Sequence, residues 1–509
     1  MAETRSAVID LGSNSFRLVV FTSGDGWWRR TDEIYEAVRI GAGLAATGRL
    51  GRKPMENALA TVDVFAHFCR ATGLVGGDVD AVATSAIRDA ENRDIFLTRA
   101  KEISGLDIRV LSRDEEAHLG YLAAVNSTTL ADGVVLDLGG GSMQLVQVKS
   151  RLESRSCSWR LGAVRMTERF LDGDGPASEK QLKRLRAHVA GKLENADWLP
   201  RSGSRLVGLG GTVRNLAAAA QRAAGQPTFG IQGFCISRDA LEALIGTLAA
   251  LPPTERKSMP GIKPGRGDLI LAGAVVVAEV LEAGGFSAIE ATEAGLREGA
   301  FFERHLDDDP PLFDDVRRNS VLNLAAQYRV DPAHTEHVAT LALGLFDELA
   351  AAGLHRGDPI ERELLWAASV LHDIGVAVDY DDHHKHSRYL ILNAGLPGFT
   401  PAEVALIAQA ARYHRKGMPD PGELAPLFGK DDVRRLDRCA TLLRLAEDLE
   451  RSRDQLVQEA HVVATNGSVR LDLVSTGDVS VPRWAAGRET ELFARAFDRR
   501  LVVGGDTAR

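Results

Sequence analysis

Two stretches of this 509-residue chain carry the same chemistry. AVIDLGSNSFRLVVF (Ala7–Phe21) and VVLDLGGGSMQLVQV (Val134–Val148) each read as an apolar strand ending in an aspartate, a glycine-rich turn with serine, and a second strand. A third turn, Gly208–Leu209–Gly210–Gly211–Thr212, follows another apolar strand and opens a helix. Glycines such as Gly12, Gly139, Gly140, Gly141, Gly210 and Gly211 let the main chain approach an anion closely, so that successive N–H groups point at its oxygens. Ser13, Ser15, Ser142 and Thr212 add hydroxyl donors, and Thr212 stands at a helix start, where unbonded N–H groups and the dipole favour negative charge. The ligand that suits such turns is phosphate. Asp10 and Asp137 end the first strand of each hairpin. A carboxylate beside a phosphate repels it unless a cation lies between, and Mg2+, held by few carboxylates, water and substrate oxygens, fits that place. Any one of these turns reads equally well as an ordinary glycine-rich turn; three in this order do not.

A second set of reactive residues lies toward the C-terminus. His337 is followed by LHDIG (Leu371–Gly375), HHKHS (His383–Ser387), RYHRKG (Arg412–Gly417) and LRLAED (Leu443–Asp448). Imidazole with carboxylate suits a divalent first-row metal or Mg2+. Lys385, Arg388, Arg412, Arg415 and Lys416 interleave with these histidines, so a phosphate-binding face fits as well, and so do core histidines without a ligand.

The elements that must position these groups alternate. Ala7–Ile9, Leu18–Phe21, Ala81–Ala83, Val134–Leu136 and Leu206–Leu209 are short and strand-like, and segments of helical period lie between them, such as Asn57–Ala71 and Glu179–Leu193. This alternation predicts an α/β architecture, and the repeated hairpin predicts a duplicated fold with a cleft between its copies. Asp307–Asp308–Asp309–Pro310–Pro311 has the composition of a linker. Beyond it the pattern is helical to about Gln458, followed by strand-like runs at His461–Val463 and Val469–Leu473 and a helix near Glu489–Phe497. The expected domains are residues 1–125 and 126–306 as two lobes, 312–458 as an all-helical domain and 459–509 as a small α/β segment.

A hydrophobic fraction of 45% and a charged fraction of 26% are those of a soluble globular chain. The formal charge of −9 weighs against nucleic acid as the partner, and a polyanionic substrate then requires metal ions or a local basic groove. Cys69, Cys157, Cys235 and Cys439 form no CxxC pair, which points to a reducing compartment. The opening MAETRSAVIDLGSNSF has no apolar stretch of signal-peptide length, and Leu269–Ala278 is too short to span a bilayer and reads as a buried helix. A cytoplasmic chain with no membrane partner is expected.

IDLGSNSFRLVV, TSAIRDAENRDIF, SRDEEAHLGYLA, LDLGGGSMQL, GLGGT and PGRGDLILAGA resemble, in this order over most of Ala7–Arg304, the exopolyphosphatase / guanosine pentaphosphate phosphatase family. The resemblance implies two actin-like (acetate kinase/actin/hsp70-type) lobes with an interlobe cleft. It implies hydrolysis of a terminal phosphoanhydride of inorganic polyphosphate with Mg2+, or of guanosine pentaphosphate, by a homodimer. Glu116, the second glutamate of DEEA, matches the family's general base, Asp137 its metal-associated aspartate and Arg88 an arginine that faces the phosphates. Asn14 and Ser15 match the first phosphate loop, Gly140–Ser142 the second and Gly210–Thr212 a third. Glu116 also suits the chemistry, because such hydrolysis needs an oriented water that a carboxylate can deprotonate; from position alone it reads as one acid of a solvated Asp114–Glu115–Glu116 face, and Arg88 as a surface partner of Asp89 or Asp94. The wider family carries an HD-like helical domain next. Its metal-ligand order, a His, a His–Asp pair and a later carboxylate, is met by His337, His372 and Asp373, with Glu447 where aspartate is usual and Asp448 beside it; a second divalent metal is implied there. Readings of other classes are a sugar or acetate kinase and a non-catalytic polyphosphate or alarmone sensor.

Overall fold

Each repeated hairpin founds a sheet, and the two sheets share one strand order. In the computed structural model, which describes residues 3–171 and 173–508, the first sheet holds β1 (Thr4–Leu11), β2 (Phe16–Gly24), β3 (Trp27–Glu36), β4 (Val79–Ala83) and β5 (Ile108–Val110) in the order β3-β2-β1-β4-β5. The second holds β6 (Gly133–Leu138), β7 (Met143–Lys149), β8 (Leu152–Trp159), β9 (Leu206–Leu209), β10 (Phe234–Ser237) and β11 (Ala288–Ala291). Its order, β8-β7-β6-β9-β11, repeats the first sheet, with β10 added antiparallel at the β11 edge. β1 pairs antiparallel with β2 and parallel with β4, as β6 does with β7 and β9. Register completes the parallel: Asp10 lies opposite Arg17 and Asp137 opposite Gln144, one residue pair from the loop in each hairpin.

β1 is apolar on both faces because both are covered. Ala7, Ile9 and Leu11 join one core with the helix Arg52–Ala71, while Val8, with Val19, Phe21 and Val82, joins Val135, Val146, Val148 and Val207 of the second sheet in another. This shared core is completed by the helices Arg113–Val125 and Leu296–His305. The two approach to main-chain contact: a Cβ on Gly299 would lie 1.9 Å from the carbonyl oxygen of Leu119. Leu296–His305, within the range expected for the second lobe, thus packs on β1 and on a helix of the first. The apolar Leu269–Ala278 run lies in the buried helix Ile270–Gly284, and Glu179–Leu193 is helical as its period predicts. Among the described residues no helix is long and apolar enough to cross a membrane.

The acidic and proline-rich run is held at its end. Asn126 Nδ2 donates to the Pro311 carbonyl at 2.9 Å, Phe313 N donates to Asn126 Oδ1 at 2.9 Å, and Leu312 and Phe313 pack on the shared core. The chain divides into two compact units at Val316, not at the prolines.

The second unit is helical through Pro332–Ala351, Pro359–Leu371, His383–Ala394, Pro401–Arg412 and Asp432–Leu449. Three of these helices begin the same way. Asp331, Asp358 and Thr400 each accept a first-turn amide, and a proline follows, whose missing N–H costs nothing there. A sheet of β12 (Val457–Ala464), β13 (Ser468–Ser475) and β14 (Arg500–Ala508) ends the chain. β14 pairs parallel with β13, which requires a crossover, and the helices Ser480–Ala486 and Thr490–Phe497 supply it.

Candidate active site

The three turns meet within the first unit. Gly12–Ser15 joins Leu11 to Phe16 and Gly139–Ser142 joins Leu138 to Met143. A Cβ on Gly140 would sit 3.4 Å from those of Ser13 and Asn14, and one on Gly141 would sit 2.5 Å from Ser85 Oγ. Gly210 has φ +91°, and a Cβ there would meet the Leu138 carbonyl oxygen at 2.6 Å, so both conformation and space demand glycine. Of the expected residues, Asp10, Gly12, Ser13, Asn14, Ser15, Glu116, Asp137, Gly139, Gly140, Ser142, Gly210 and Gly211 line one cleft. Three do not line it. Gly141 packs against Ser13 and Ser85, Thr212 is buried against Gly273, and Arg88 is bonded to Glu116. The Ser13 hydroxyl is engaged by Ser85 Oγ at 2.9 Å, which fixes the first loop.

Glu116 owes its place to a cap. Ser112 Oγ accepts from Glu115 N at 3.1 Å and Glu115 Oε2 accepts from Ser112 N at 2.7 Å. This reciprocal pair starts the helix Arg113–Val125 and consumes Glu115, which also meets Arg109. One position on, Glu116 turns inward and is 6% exposed, so the three consecutive acids are not one solvated face. Its Oε2 accepts from Arg88 Nη1 at 2.6 Å and its Oε1 from Ser142 Oγ at 3.2 Å. Arg88 also donates to the Leu111 carbonyl, so it is a fixed partner of Glu116 and not a surface mate of Asp89. Asp89 instead meets Arg165 and Arg160 across the two lobes of this unit. Burial raises the Glu116 carboxyl above its ordinary range, although Arg88 and Ser142 hold it down.

The carboxylates and cations around it answer the charge problem. Burial, then the negative charges of Glu116 and Asp10, push Asp137 up to about 7. Burial also raises Asp10, against the pull of Arg297 at 3.3 Å. Arg17, Arg214, Arg266 and Arg297 line the cleft as well, and sequence reading assigned none of them. Three had a signal, lying within a few residues of a turn or inside a quoted run: Arg17 in NSFR, Arg214 in GGTVR and Arg266 in PGRGD; Arg297 had none. Burial and the neighbouring Arg297 and Arg17 lower Arg214 to about 10, which leaves it charged at neutral pH. Asn14 Nδ2 and Arg297 Nε are buried donors without a hydrogen-bond partner among the described residues. Unmet donors and arginines suit an anion, and crowded carboxylates suit a divalent cation at Asp10 and Asp137.

In the second unit His372, Asp373 and Glu447 come together, and His337 does not join them. His334 takes the place expected for it, with Nε2 3.1 Å from Glu447 Oε2 and 3.9 Å from Asp373 Oδ2. The two histidines are three apart on one helix, and the Asp331 cap sets which of them faces inward. His337 Nε2 instead meets the Val457 carbonyl at 2.8 Å, where β12 begins, with Glu450 at 3.5 Å. His383 and His414 complete the cluster, with Nε2 atoms 3.1 Å apart.

Comparison with known proteins adds the following. The sequence profile of the Ppx/GppA phosphatase family matches residues 19–307, over half of the chain, and that of Ppx/GppA phosphatase domain III matches residues 316–480. A Ppx/GppA family member from Aquifex aeolicus is 28% identical with a TM-score of 0.52, over 59% of this chain and 97% of its own. A solved exopolyphosphatase-like protein is 29% identical with a TM-score of 0.53, again over 59% of this chain and 97% of its own. An exopolyphosphatase from Cytophaga hutchinsonii, 22% identical, shares the fold with a TM-score of 0.53 over 59% of this chain and 97% of its own. Three fifths of this chain therefore account for nearly all of each neighbour.

Proposed function

The chain belongs to the Ppx/GppA phosphatase family, with an actin-like first unit, and on that premise we propose that it is an exopolyphosphatase. It hydrolyses the terminal phosphoanhydride of inorganic polyphosphate with a water that Glu116 orients and deprotonates. The observation that carries this reading is one buried carboxylate placed where the phosphate loops meet, tied to Ser142 of the second loop and to Arg88. The water oxygen bonds to phosphorus, its proton passes to Glu116, and the bond to the bridging oxygen breaks, leaving a chain one phosphate shorter. Asn14, the loop amides and Arg214 and Arg297 hold the terminal phosphoryl oxygens. Arg17 and Arg266 extend the positive lining toward the rest of the chain. Asp10 and Asp137 would hold Mg2+, which would supply charge neutralisation on the phosphate oxygens. A cleft lined by phosphate-binding turns and four arginines suits a substrate made of phosphate alone, which favours polyphosphate over guanosine pentaphosphate. A water-orienting glutamate favours hydrolysis over phosphoryl transfer by a kinase. A cytoplasmic homodimer completes the reading; a single-chain mass in sedimentation equilibrium would remove the dimer.

Glu116→Gln keeps the size of the side chain and removes the base. Phosphate release should fall by about three orders of magnitude with substrate affinity within a few-fold, since only the chemical step is touched. Wild-type turnover in this variant would refute the assignment. Release of labelled phosphate from polyphosphate and from guanosine pentaphosphate at equal concentration decides the substrate. A purified protein that binds either and releases nothing is a sensor. Asp137→Asn should abolish activity or raise the Mg2+ concentration needed for it, and full wild-type activity in chelator would remove the metal from the reading.

A further inference from the structure

Three consecutive carbonyls of the second phosphate loop are held from behind. The amides of Ala163 and Val164, at the start of the helix Ala163–Phe170, donate to the carbonyls of Gly139 and Gly140 at 3.0 and 2.9 Å. The Gly141 carbonyl accepts from Arg165 Nε, on the next residue of that helix, at 3.0 Å. In a planar trans peptide the N–H points opposite to the C=O, so the amides of Gly140, Gly141 and Ser142 turn to the other side, where Gly140 and Ser142 line the cleft. The helix start spends its own unbonded amides on this contact. A Cβ on Gly162, its cap, would lie 2.4 Å from the carbonyl group of Gly140, so only glycine admits so close an approach.

Of these three holds only the last comes from a side chain, and its guanidinium continues to a second partner. Arg165 Nη2 donates to Asp89 Oδ2 at 2.9 Å. Asp89 closes the turn that opens at Ser85, its amide bonded to the Ser85 carbonyl at 3.0 Å. That one turn reaches three parts of the cleft. Ser85 Oγ bonds Ser13 Oγ of the first loop at 2.9 Å, Arg88 Nη1 holds Glu116 at 2.6 Å, and Asp89 holds the guanidinium that clamps the second loop. The Asp89–Arg165 pair is buried, with side chains 9% and 15% exposed, so water competes little for it. The first loop is backed in a similar way: Gly41 N and Arg39 N donate to the carbonyls of Ser13 and Asn14 at 3.0 and 2.9 Å, and Arg39 pairs with Asp268 at 3.1 Å. That Arg39 side chain is half exposed, and exposed pairs hold little in place.

We propose, on the reading of Glu116 as the base, that Arg165 is a positioning residue of the hydrolysis. It acts through the second loop and does not touch the substrate. One edge of its guanidinium fixes the peptide between Gly141 and Ser142, so that the Ser142 amide donates to a phosphoryl oxygen. The other edge, through Asp89, sets that amide in register with Arg88 and Glu116. In-line attack by water needs the phosphorus and the base at a fixed separation, and a displacement of about 1 Å costs roughly a hundredfold in rate. Lysine is no substitute here. Its one nitrogen has to serve both the Gly141 carbonyl and Asp89, which the planar fork meets with two.

The test compares full-length wild-type protein with Arg165→Gln, Asp89→Asn and the double variant, each corrected for folded protein by circular dichroism. On long polyphosphate, kcat of Arg165→Gln should fall about a hundredfold, with KM within about threefold, because the polymer keeps its contacts to the cleft arginines. Asp89→Asn should lose about tenfold, and the double variant should fall no further than Arg165→Gln, since both cut one chain of contacts. Millimolar guanidinium should restore about tenfold of the kcat lost in Arg165→Ala, and equal ammonium should restore none. Orthophosphate has no polymer contacts to fall back on, so its affinity by titration calorimetry should weaken about tenfold in Arg165→Gln. Should Arg165→Gln not fold, Arg165→Lys carries the comparison, because it keeps the charge and loses the fork. Wild-type kcat and orthophosphate affinity in the folded variant overturn the inference and leave hydrolysis by Glu116 standing. A lost kcat that guanidinium does not restore, with orthophosphate affinity unchanged, makes Arg165 merely structural and overturns it too. A double variant with additive losses overturns the link through Asp89. A wild-type protein that releases no phosphate removes the proposed function instead, and the orthophosphate affinities of the same variants then decide whether Arg165 holds the loop.

Discussion

Burial and Arg88 pull on the Glu116 proton in opposite directions, and burial prevails. The base form therefore grows in only above the ordinary glutamate range near 4.3. Because the folded pKa is raised, activity should climb with pH through a limb displaced upward from that range. Arg88→Gln removes the opposing charge, so its limb should lie at still higher pH, and kcat on the acid side should fall by about tenfold for each unit of displacement. A log kcat against pH profile reads this directly; a lower plateau with an unmoved limb would make Arg88 a merely structural residue. Glu116 itself was legible only as the match to a motif. Asp114, Glu115 and Glu116 are alike in type, and what separates them is the Ser112–Glu115 reciprocal bond. Serine three residues ahead of glutamate is a helix-start signal readable in the sequence. His334 and His337 differ in the same way, by helix phase, which the Asp331 cap sets.

At the scale of elements, the helix Arg113–Val125 carries Glu116, is capped at its start and is braced at its middle. Ser112→Ala removes its cap, and stability should fall by about 1 kcal/mol, read as a lower Tm. A loosened first turn also lets Glu116 drift, so kcat should fall by more than KM changes. Gly299→Ala tests the brace at its middle. Its Cβ would press on the Leu119 carbonyl, and main chain has no rotamer by which to yield. The cost should be about 1–3 kcal/mol. An unchanged Tm in chemical or thermal unfolding would mean that the helices part without strain. The strands and most helices were legible because apolar period and proline punctuation are local. The crossing of Leu296–His305 onto the first sheet was not, since close approach of two helices leaves only a glycine in the sequence, and glycine has many causes.

At the scale of the molecule, the division at Val316 changes where a first-unit fragment should end. Residues 1–316 keep Leu312 and Phe313 on the shared core and the pair of bonds to Asn126; residues 1–306 lose them. The longer fragment should fold and melt several degrees above the shorter one by calorimetry. If the helical unit anchors long substrate, residues 1–316 should hydrolyse short polyphosphate at the full-length rate and lose processivity on long polymer, because a second contact raises the local concentration of the end being cut. Gel analysis of partly digested chains distinguishes the two: the full chain leaves intact and finished polymer, and the fragment leaves a ladder. A fragment as processive as the full chain would discard the anchoring role.

The repeated Asp–apolar–Gly-rich–Ser hairpin, with the third glycine-rich turn, implied without structure that the fold is duplicated and that two aspartates and three turns share one cleft, as they do. Those features lie within single strands and turns, where residue type and spacing suffice. The four cleft arginines, the pairing of Arg88 with Glu116, the withdrawal of Gly141 and Thr212 from the cleft, and the substitution of His334 for His337 were decided by the tertiary structure. Each depends on which face of a helix or strand turns inward. That is settled by packing against elements as far along the chain as Arg297 is from Asp10, and no local pattern records it.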